Sequence, residues 1–307
     1  MSFDILQDKI KEKKNPTVAG LDARVEYVPP HILKKYTDLY GETLQAAAEA
    51  VLEFDCGLID ALCDVVPAVK PQAAYFEMLG WRGMEVMEKV MAYAKSKGLY
   101  VIADIKRGDI GTTATAYSEA WLGVTKVGET DCPVFDADCV TLNGYMGSDA
   151  IKPFLNDCVA RNKSAFVLAK TSNASSVELQ DMVAGDRLVY TVMGDLIERW
   201  GKDTAGKYGF NALGAVVGAT HPSVLKELRR RLPHTFFLVP GYGAQGGTAA
   251  DVRYAFDELG RGAIINASRS IMCAWKKTGN DGIDYQEAAR NAAIQMRDEL
   301  KEYITTL

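Results

Sequence analysis

Val101-Ile-Ala-Asp104-Ile-Lys106-Arg-Gly108-Asp109-Ile-Gly111-Thr-Thr113 is an apolar run that ends in charges and then turns through glycine. Side chains alternate faces along a strand, so Asp104 and Lys106 share one face, with Ile102 behind them. That face ends in an ion pair. Asp109 follows beyond Gly108, on the loop leaving the strand, and brings a second carboxylate within reach of the same lysine. Two readings compete: a solvated charge cluster at a strand end, or a working site. Residues Leu99 to Ala103 favour the second, because they read as a strand buried on both faces, and charges at the mouth of such a strand commonly serve chemistry.

Seven more runs of this kind lie on either side. They are Thr17–Leu21 ending in Asp22, Val65–Val69 leading to Lys70-Pro71, Cys139–Asn143, Ser164–Lys170, Leu213–Val217, Thr235–Val239 and Gly262–Asn266. Helical patterns separate them, over about Phe3–Lys13, Tyr75–Lys97, from near Thr113, Ser148–Asn156 and after Pro222. Eight strands alternating with helices imply parallel strands joined by right-handed crossovers. The expected fold is α/β, a (β/α)8 TIM barrel with extra helical insertions; an open doubly wound sheet is the alternative. The barrel is preferred because polar residues stand at nearly every strand end: Asp22, Lys70, Asp104, Asn143, and Lys170 with Ser172. In a barrel these ring one mouth. Residues 1–307 are expected to form a single catalytic domain, since barrels with insertions reach this length. Two connections exceed what a barrel needs: 23–62, where Pro29-Pro30 should break the chain before an alanine-rich helix from about Glu42, and 173–208, expected to hold a helical hairpin or lid.

Composition excludes several function classes. A net charge of −5 leaves no face-wide excess of Lys and Arg for nucleic acid or an acidic membrane. Arg229-Arg230-Arg231 reads as a helix end projecting into solvent. No apolar stretch approaches the roughly 18 residues of a membrane span, and the first residues, Met-Ser-Phe-Asp-Ile-Leu-Gln-Asp-Lys, lack a signal-peptide core, so a cytoplasmic protein is expected. Six cysteines show no Cys-x-x-Cys spacing and only three histidines accompany them. No zinc site is expected, and the thiols read as reduced.

The last two strand ends have a different chemistry. Pro240-Gly-Tyr-Gly-Ala-Gln245-Gly-Gly-Thr248 is a loop whose glycines let backbone N–H groups approach an anion, with Thr248 able to begin a helix. Asn266-Ala-Ser-Arg269-Ser270 places a guanidinium beside it. Barrels commonly hold phosphate after strands seven and eight.

Asp-x-Lys-x-x-Asp after a buried strand, together with Pro-Gly-x-Gly-Ala-Gln-Gly-Gly, resembles the orotidine 5'-phosphate decarboxylase family, and the two long connections resemble its longer bacterial-type branch. The resemblance implies a metal-free, cofactor-free decarboxylation of orotidine 5'-monophosphate to uridine 5'-monophosphate, the final step of de novo pyrimidine nucleotide synthesis. It implies an alternating charge network of Lys70, Asp104, Lys106 and Asp109, with Lys106 stabilising and protonating the carbanion. Asp22 matches a ribose contact, Ser172 a pyrimidine contact, Gln245 a bridge between base and phosphate, Arg269 the phosphate arginine, and Thr113 a threonine near the substrate. It further implies a homodimer with shared sites, in which Asp109 and Thr113 reach the partner's Lys70, Asp104 and Lys106. One departure is Ser268, where many members have glycine, which bears on how closely that amide can approach phosphate. Two alternatives stand beside this reading: a metal-assisted aldolase or sugar-phosphate decarboxylase, disfavoured because Lys70 stands where those relatives carry an acidic metal ligand, and a catalytically silent nucleotide sensor.

Overall fold

The computed structural model describes residues 2–243 and 246–305. Eight parallel strands close into a barrel: β1 Thr17–Leu21, β2 Ala68–Pro71, β3 Tyr100–Arg107, β4 Cys139–Leu142, β5 Ser164–Lys170, β6 Leu213–Val217, β7 Phe237–Val239 and β8 Ala263–Ala267, with β8 pairing back onto β1. The closed ring rules out the open doubly wound sheet. Alternation along the strands sorts the core into two bodies. Val18, Ala68, Ile102, Cys139, Phe166, Val216, Leu238 and Ile264 point inward, whereas neighbours such as Ala19, Val69, Val101 and Val140 point outward against the helices.

The lower mouth is closed by the helix Ser2–Lys13. Its Phe3, Leu6 and Ile10 join the inward-facing cluster, and the Phe3 ring lies 4.9 Å from those of both Phe166 and Phe236. The upper mouth stays open.

Several connections differ from the sequence expectation. Pro30 does not break the chain: it occupies the first turn of a helix, Pro30–Tyr40, where its missing N–H costs nothing. A second helix, Leu44–Leu62, follows Thr43, whose hydroxyl accepts from the Ala46 amide. The helix expected over Tyr75–Lys97 is two, Ala73–Glu77 and Trp81–Ser96, divided at Gly80, where φ is +68°. The excursion 173–208 contains a short helical turn, Val177–Gln180, and a two-stranded β-hairpin, Val183–Ala184 with Arg187–Leu188, before one crossover helix, Val189–Trp200. The hairpin turns through Gly185, with φ +72°, and Asp186. Arg229 turns inward rather than out. Its guanidinium donates to the carbonyls of Ala255, Leu232, Thr235 and Gly262 and lies over the Phe237 ring, and burial lowers its pKa to about 10.

All six cysteines are free thiols. Among the described residues, no helix is long and apolar enough to cross a membrane.

Candidate active site

A cavity of about 570 Å³ opens at the upper mouth, lined among others by Asp22, Lys70, Asp104, Lys106, Ser172 and Arg269. The inward alternation that fills the barrel below turns polar here: β2 passes from Ala68 to Lys70, β3 from Ile102 to Asp104, β4 from Cys139 to Thr141 and β8 from Ile264 to Asn266.

Asp104 is the hub. Its Oδ1 accepts from Lys106 Nζ at 2.5 Å and from the Thr141 hydroxyl at 2.7 Å, and its Oδ2 accepts from Lys70 Nζ at 2.7 Å and Gln72 Nε2 at 2.9 Å. Two donors on each oxygen use the acceptor capacity of a carboxylate. Burial pushes the Asp104 carboxyl up, but Lys70 and Lys106 outweigh it and hold the group well below the usual carboxylate range. Burial likewise favours neutral Lys70, and Asp104 with Asp22 overcomes it, so that Lys70 stays charged with a raised pKa.

The two lysines differ in access. The Lys70 side chain is 5% exposed and the Lys106 side chain 45% exposed. Lys70 is therefore a fixed counter-charge, whereas Lys106 is paired at one side and open to the cavity at the other. Lys106 meets Asp104 as alternation expects, yet the backbone reaches this arrangement with φ +47° at Lys106, a left-handed conformation uncommon outside glycine. The β3–β4 register shifts between Ala103 and Arg107, and the Lys106 amide donates to Thr141 Oγ1 at 3.0 Å rather than continuing the ladder. Backbone strain of this kind gathers where a side chain must be aimed.

Asp109 and Thr113 stand apart from this group. Neither lines the cavity, and Thr113 is exposed on the helix Gly111–Trp121. Asp109 accepts from the Ile110 amide at 2.8 Å, and among the described residues it pairs with no lysine of its own chain. Asp109 therefore does not meet Lys106 within its own chain.

At the far end of the cavity, Gly241 has φ +100° and Gly243 φ +68°, conformations that glycine alone adopts without strain. Thr248 begins the helix Ala249–Val252 with a capping box closed by Asp251. Gln245 lies outside the described residues. Arg269 lines the cavity at the start of Arg269–Met272. Ser268 has φ −112°, so glycine is not required there, and its hydroxyl fills the space over Gly20, where an added Cβ would lie 2.0 Å from it.

Some contributors escape the sequence reading. Asn143 reads as the polar end of β4, but it is exposed and accepts from the Tyr145 amide; Thr141, two residues earlier, is the one that faces inward. Period two counted from Cys139 finds it. Gln72 follows Lys70 by the same spacing. Lys170 points away from the cavity, into Asp181. Asp22 lines the cavity as expected, with its Oδ1 buried and without a hydrogen-bond partner. Among the described residues no group of three or more His, Cys, Asp or Glu side chains gathers as a metal-ligand set.

Comparison with known proteins adds to this geometry. The family model described as orotidine 5'-phosphate decarboxylase / HUMPS family matches residues 44–279. Orotidine 5'-phosphate decarboxylase of Rhodopirellula baltica is 42% identical over 289 residues, covering 93% of this chain and 94% of that protein. The enzyme of the same name from Caldicellulosiruptor bescii is 38% identical over 302 residues, with 98% of each chain covered. Among solved structures, OMP decarboxylase of Leishmania donovani superposes with a TM-score of 0.71 at 29% identity, covering 97% of this chain and 99% of that one.

Proposed function

The chain belongs to the orotidine 5'-phosphate decarboxylase / HUMPS family and is a carboxy-lyase that converts orotidine 5'-monophosphate to uridine 5'-monophosphate in pyrimidine synthesis; on that premise we propose that Lys106 stabilises and then protonates the carbanion. The observation that carries this is Lys106 itself, hydrogen-bonded to Asp104 at 2.5 Å yet open to the cavity.

Loss of CO₂ leaves an electron pair at C6 of the pyrimidine with no π-system to accept it. An ammonium beside C6 lowers the energy of that localised charge and then supplies the proton. Asp104 keeps Lys106 in place, and buried Lys70 offsets Asp104 so that the carboxylate remains ionised. Repulsion between a site carboxylate and that of the substrate is too small to be the main term. Like charges about 4 Å apart repel by roughly 4 kcal/mol at an effective dielectric near 20, whereas enzymatic accelerations call for on the order of 8–23 kcal/mol. Asp22 contacts ribose, Ser172 the pyrimidine, and Gln245 and Arg269 the phosphate, whose binding energy holds the reacting carbon against Lys106. No metal or organic cofactor enters any step.

The catalytic unit comprises residues 1–307 and works in the cytoplasm without nucleic acid as a partner. It is a homodimer with shared sites. Asp109 and Thr113 lie outside their own cavity, which supports their serving the partner's Lys70, Asp104 and Lys106. Two-fold closure is also the commonest assembly.

Purified protein added to orotidine 5'-monophosphate with a chelator present should abolish the orotate absorbance and yield uridine 5'-monophosphate. Persistence of the absorbance would contradict the cofactor-free reaction. For the shared site, Lys106→Ala and Asp109→Ala chains are unfolded together and refolded. Random mixing makes about half the dimers mixed, each with one intact site, so activity should return to about a quarter of wild type. Dimers that exchange chains yet stay inactive would place Asp109 in its own subunit's chemistry.

A further inference from the structure

Ser172 is two residues past the end of β5 and lines the cavity, and it has a structured surround that the chemistry above does not use. Its neighbours on the chain are held from outside by the excursion that follows. The Thr171 amide donates to Gln180 Oε1 at 2.9 Å, and Gln180 Nε2 donates back to Thr171 Oγ1 at 2.8 Å. The same hydroxyl donates to Asn173 Oδ1 at 2.6 Å, so both residues flanking Ser172 belong to one network. One position earlier, Lys170 is 1% exposed and donates to Asp181 Oδ1 at 2.6 Å and to Ser176 Oγ at 3.2 Å. Neither Gln180 nor Asp181 lines the cavity.

The opposite side is equally constrained. The Gly218 amide donates to the Lys170 carbonyl at 2.8 Å, and a Cβ built on Gly218 would lie 2.9 Å from the N, Cα and Cβ atoms of Ser172. Those are mostly backbone atoms, so no side-chain rotation relieves the contact. Ser172 thus sits between a glycine that leaves it just enough room and a pair of side chains that pin the residues on either side.

We propose that Gln180 and Asp181 are positioning residues for Ser172: acting through Thr171 and Lys170, they make the 174–188 excursion a strut that sets how tightly the site reads the pyrimidine ring. This rests on the reading of Ser172 as the pyrimidine contact. The buried ammonium of Lys170 anchors the strut, because a lysine withdrawn from water needs its carboxylate partner. The amide of Gln180 sets the angle, since its two bonds to one residue fix Thr171 in orientation as well as position.

The test compares ligands with and without a base. Inhibition by uridine 5'-monophosphate and by ribose 5-phosphate is measured for wild type, Gln180→Ala, Ser172→Ala and the double variant, with Gln180→Glu as the conservative replacement. Gln180→Ala should weaken uridine 5'-monophosphate about 10-fold, an effect of one lost hydrogen bond, and leave ribose 5-phosphate within about twofold. In the Ser172→Ala background the same substitution should add nothing, because the two act in series. Gln180→Glu, whose carboxylate still accepts from the Thr171 amide but has no hydrogen to give the Thr171 hydroxyl, should recover part of the loss. Gly218→Ala, pressing on Ser172 from the other side, should reproduce the ligand pattern of Gln180→Ala. Equal weakening of both ligands, full additivity with Ser172→Ala, or no weakening would overturn the strut. If Ser172→Ala is itself silent, the pyrimidine assignment falls and the strut with it, while loss of turnover in Lys106→Ala would still support the catalytic reading.

Discussion

The two ends of the barrel are built from the same eight strands and treat burial in opposite ways. At the lower end the inward side chains are apolar and a separate helix, Ser2–Lys13, inserts Phe3, Leu6 and Ile10 among them. Its polar groups only fasten the plug: the Ser2 hydroxyl meets Tyr100 at 2.7 Å, which in turn meets Ser164 at 2.6 Å, and Asp4 accepts from the amides of Lys207 and Tyr208. At the upper end the inward positions become Lys70, Asp104, Lys106 and Thr141, and a cavity is left open. Stability is concentrated where the barrel is filled and chemistry where it is not. Separating the two lets a costly charge array exist without undermining the fold.

Emptying the filled end should give the largest loss of stability. Phe3→Ala removes a ring stacked on Phe236 and tilted against Phe166 and should cost about 3–5 kcal/mol in denaturant unfolding. The kcat per folded molecule should stay within about twofold. A large kcat loss with little change in stability would show that the two ends are not separate.

Arg269→Ala attacks the open end alone. It should weaken nucleotide binding by about 10- to 100-fold, as expected for about 1.5–3 kcal/mol of charge-assisted hydrogen bonding, and leave nucleoside binding nearly unchanged. Equal losses for nucleotide and nucleoside, by calorimetry, would remove the phosphate assignment.

The smallest effect sharpens the contrast between two buried carboxylates. Asp104 has donors on both oxygens, whereas Asp55, on the helix Leu44–Leu62, has both oxygens buried without a hydrogen-bond partner. Burial, with a further contribution from Asp22, pushes the Asp55 carboxyl well above its ordinary range. A raised folded-state pKa means that stability is fully present below the unfolded value of about 3.9 and is lost as pH rises toward the folded one. Asp55→Asn should therefore melt higher than wild type at pH 8, by about 1 kcal/mol, with the gain vanishing near pH 4. Asp104 has the opposite sign: its contribution is present above the unfolded value and lost as pH falls through the folded one. A gain for Asp55→Asn that grew on acidification would reverse the assignment.

Period-two alternation and strand-end charges made the barrel legible, because both are local consequences of a strand buried on two faces. Ser164–Lys170 and Leu213–Val217 fall where the pattern places them. Lys70, Asp104 and Lys106 come together because they end adjacent strands. Polarity alone misleads at Asn143, which serves a turn, and at Lys170, whose partner Asp181 lies in a segment with no periodic signal. The left-handed backbone at Lys106 is equally hidden, since nothing in the residue type announces it. Arg229 shows the same limit: an arginine triplet at a helix end gives no sign of which member finds buried carbonyls.

The central claim is that the half-open lysine at the upper mouth carries the reaction while the rest of the site binds. Turnover of orotidine 5'-monophosphate and affinity for uridine 5'-monophosphate should be measured side by side for wild type and Lys106→Ala. An ammonium that acts chiefly when the carbanion forms predicts a fall in kcat of at least about 10³-fold, or about 4 kcal/mol, with product affinity within about tenfold. A variant that keeps near-normal kcat, or loses affinity and turnover in equal measure, would contradict it.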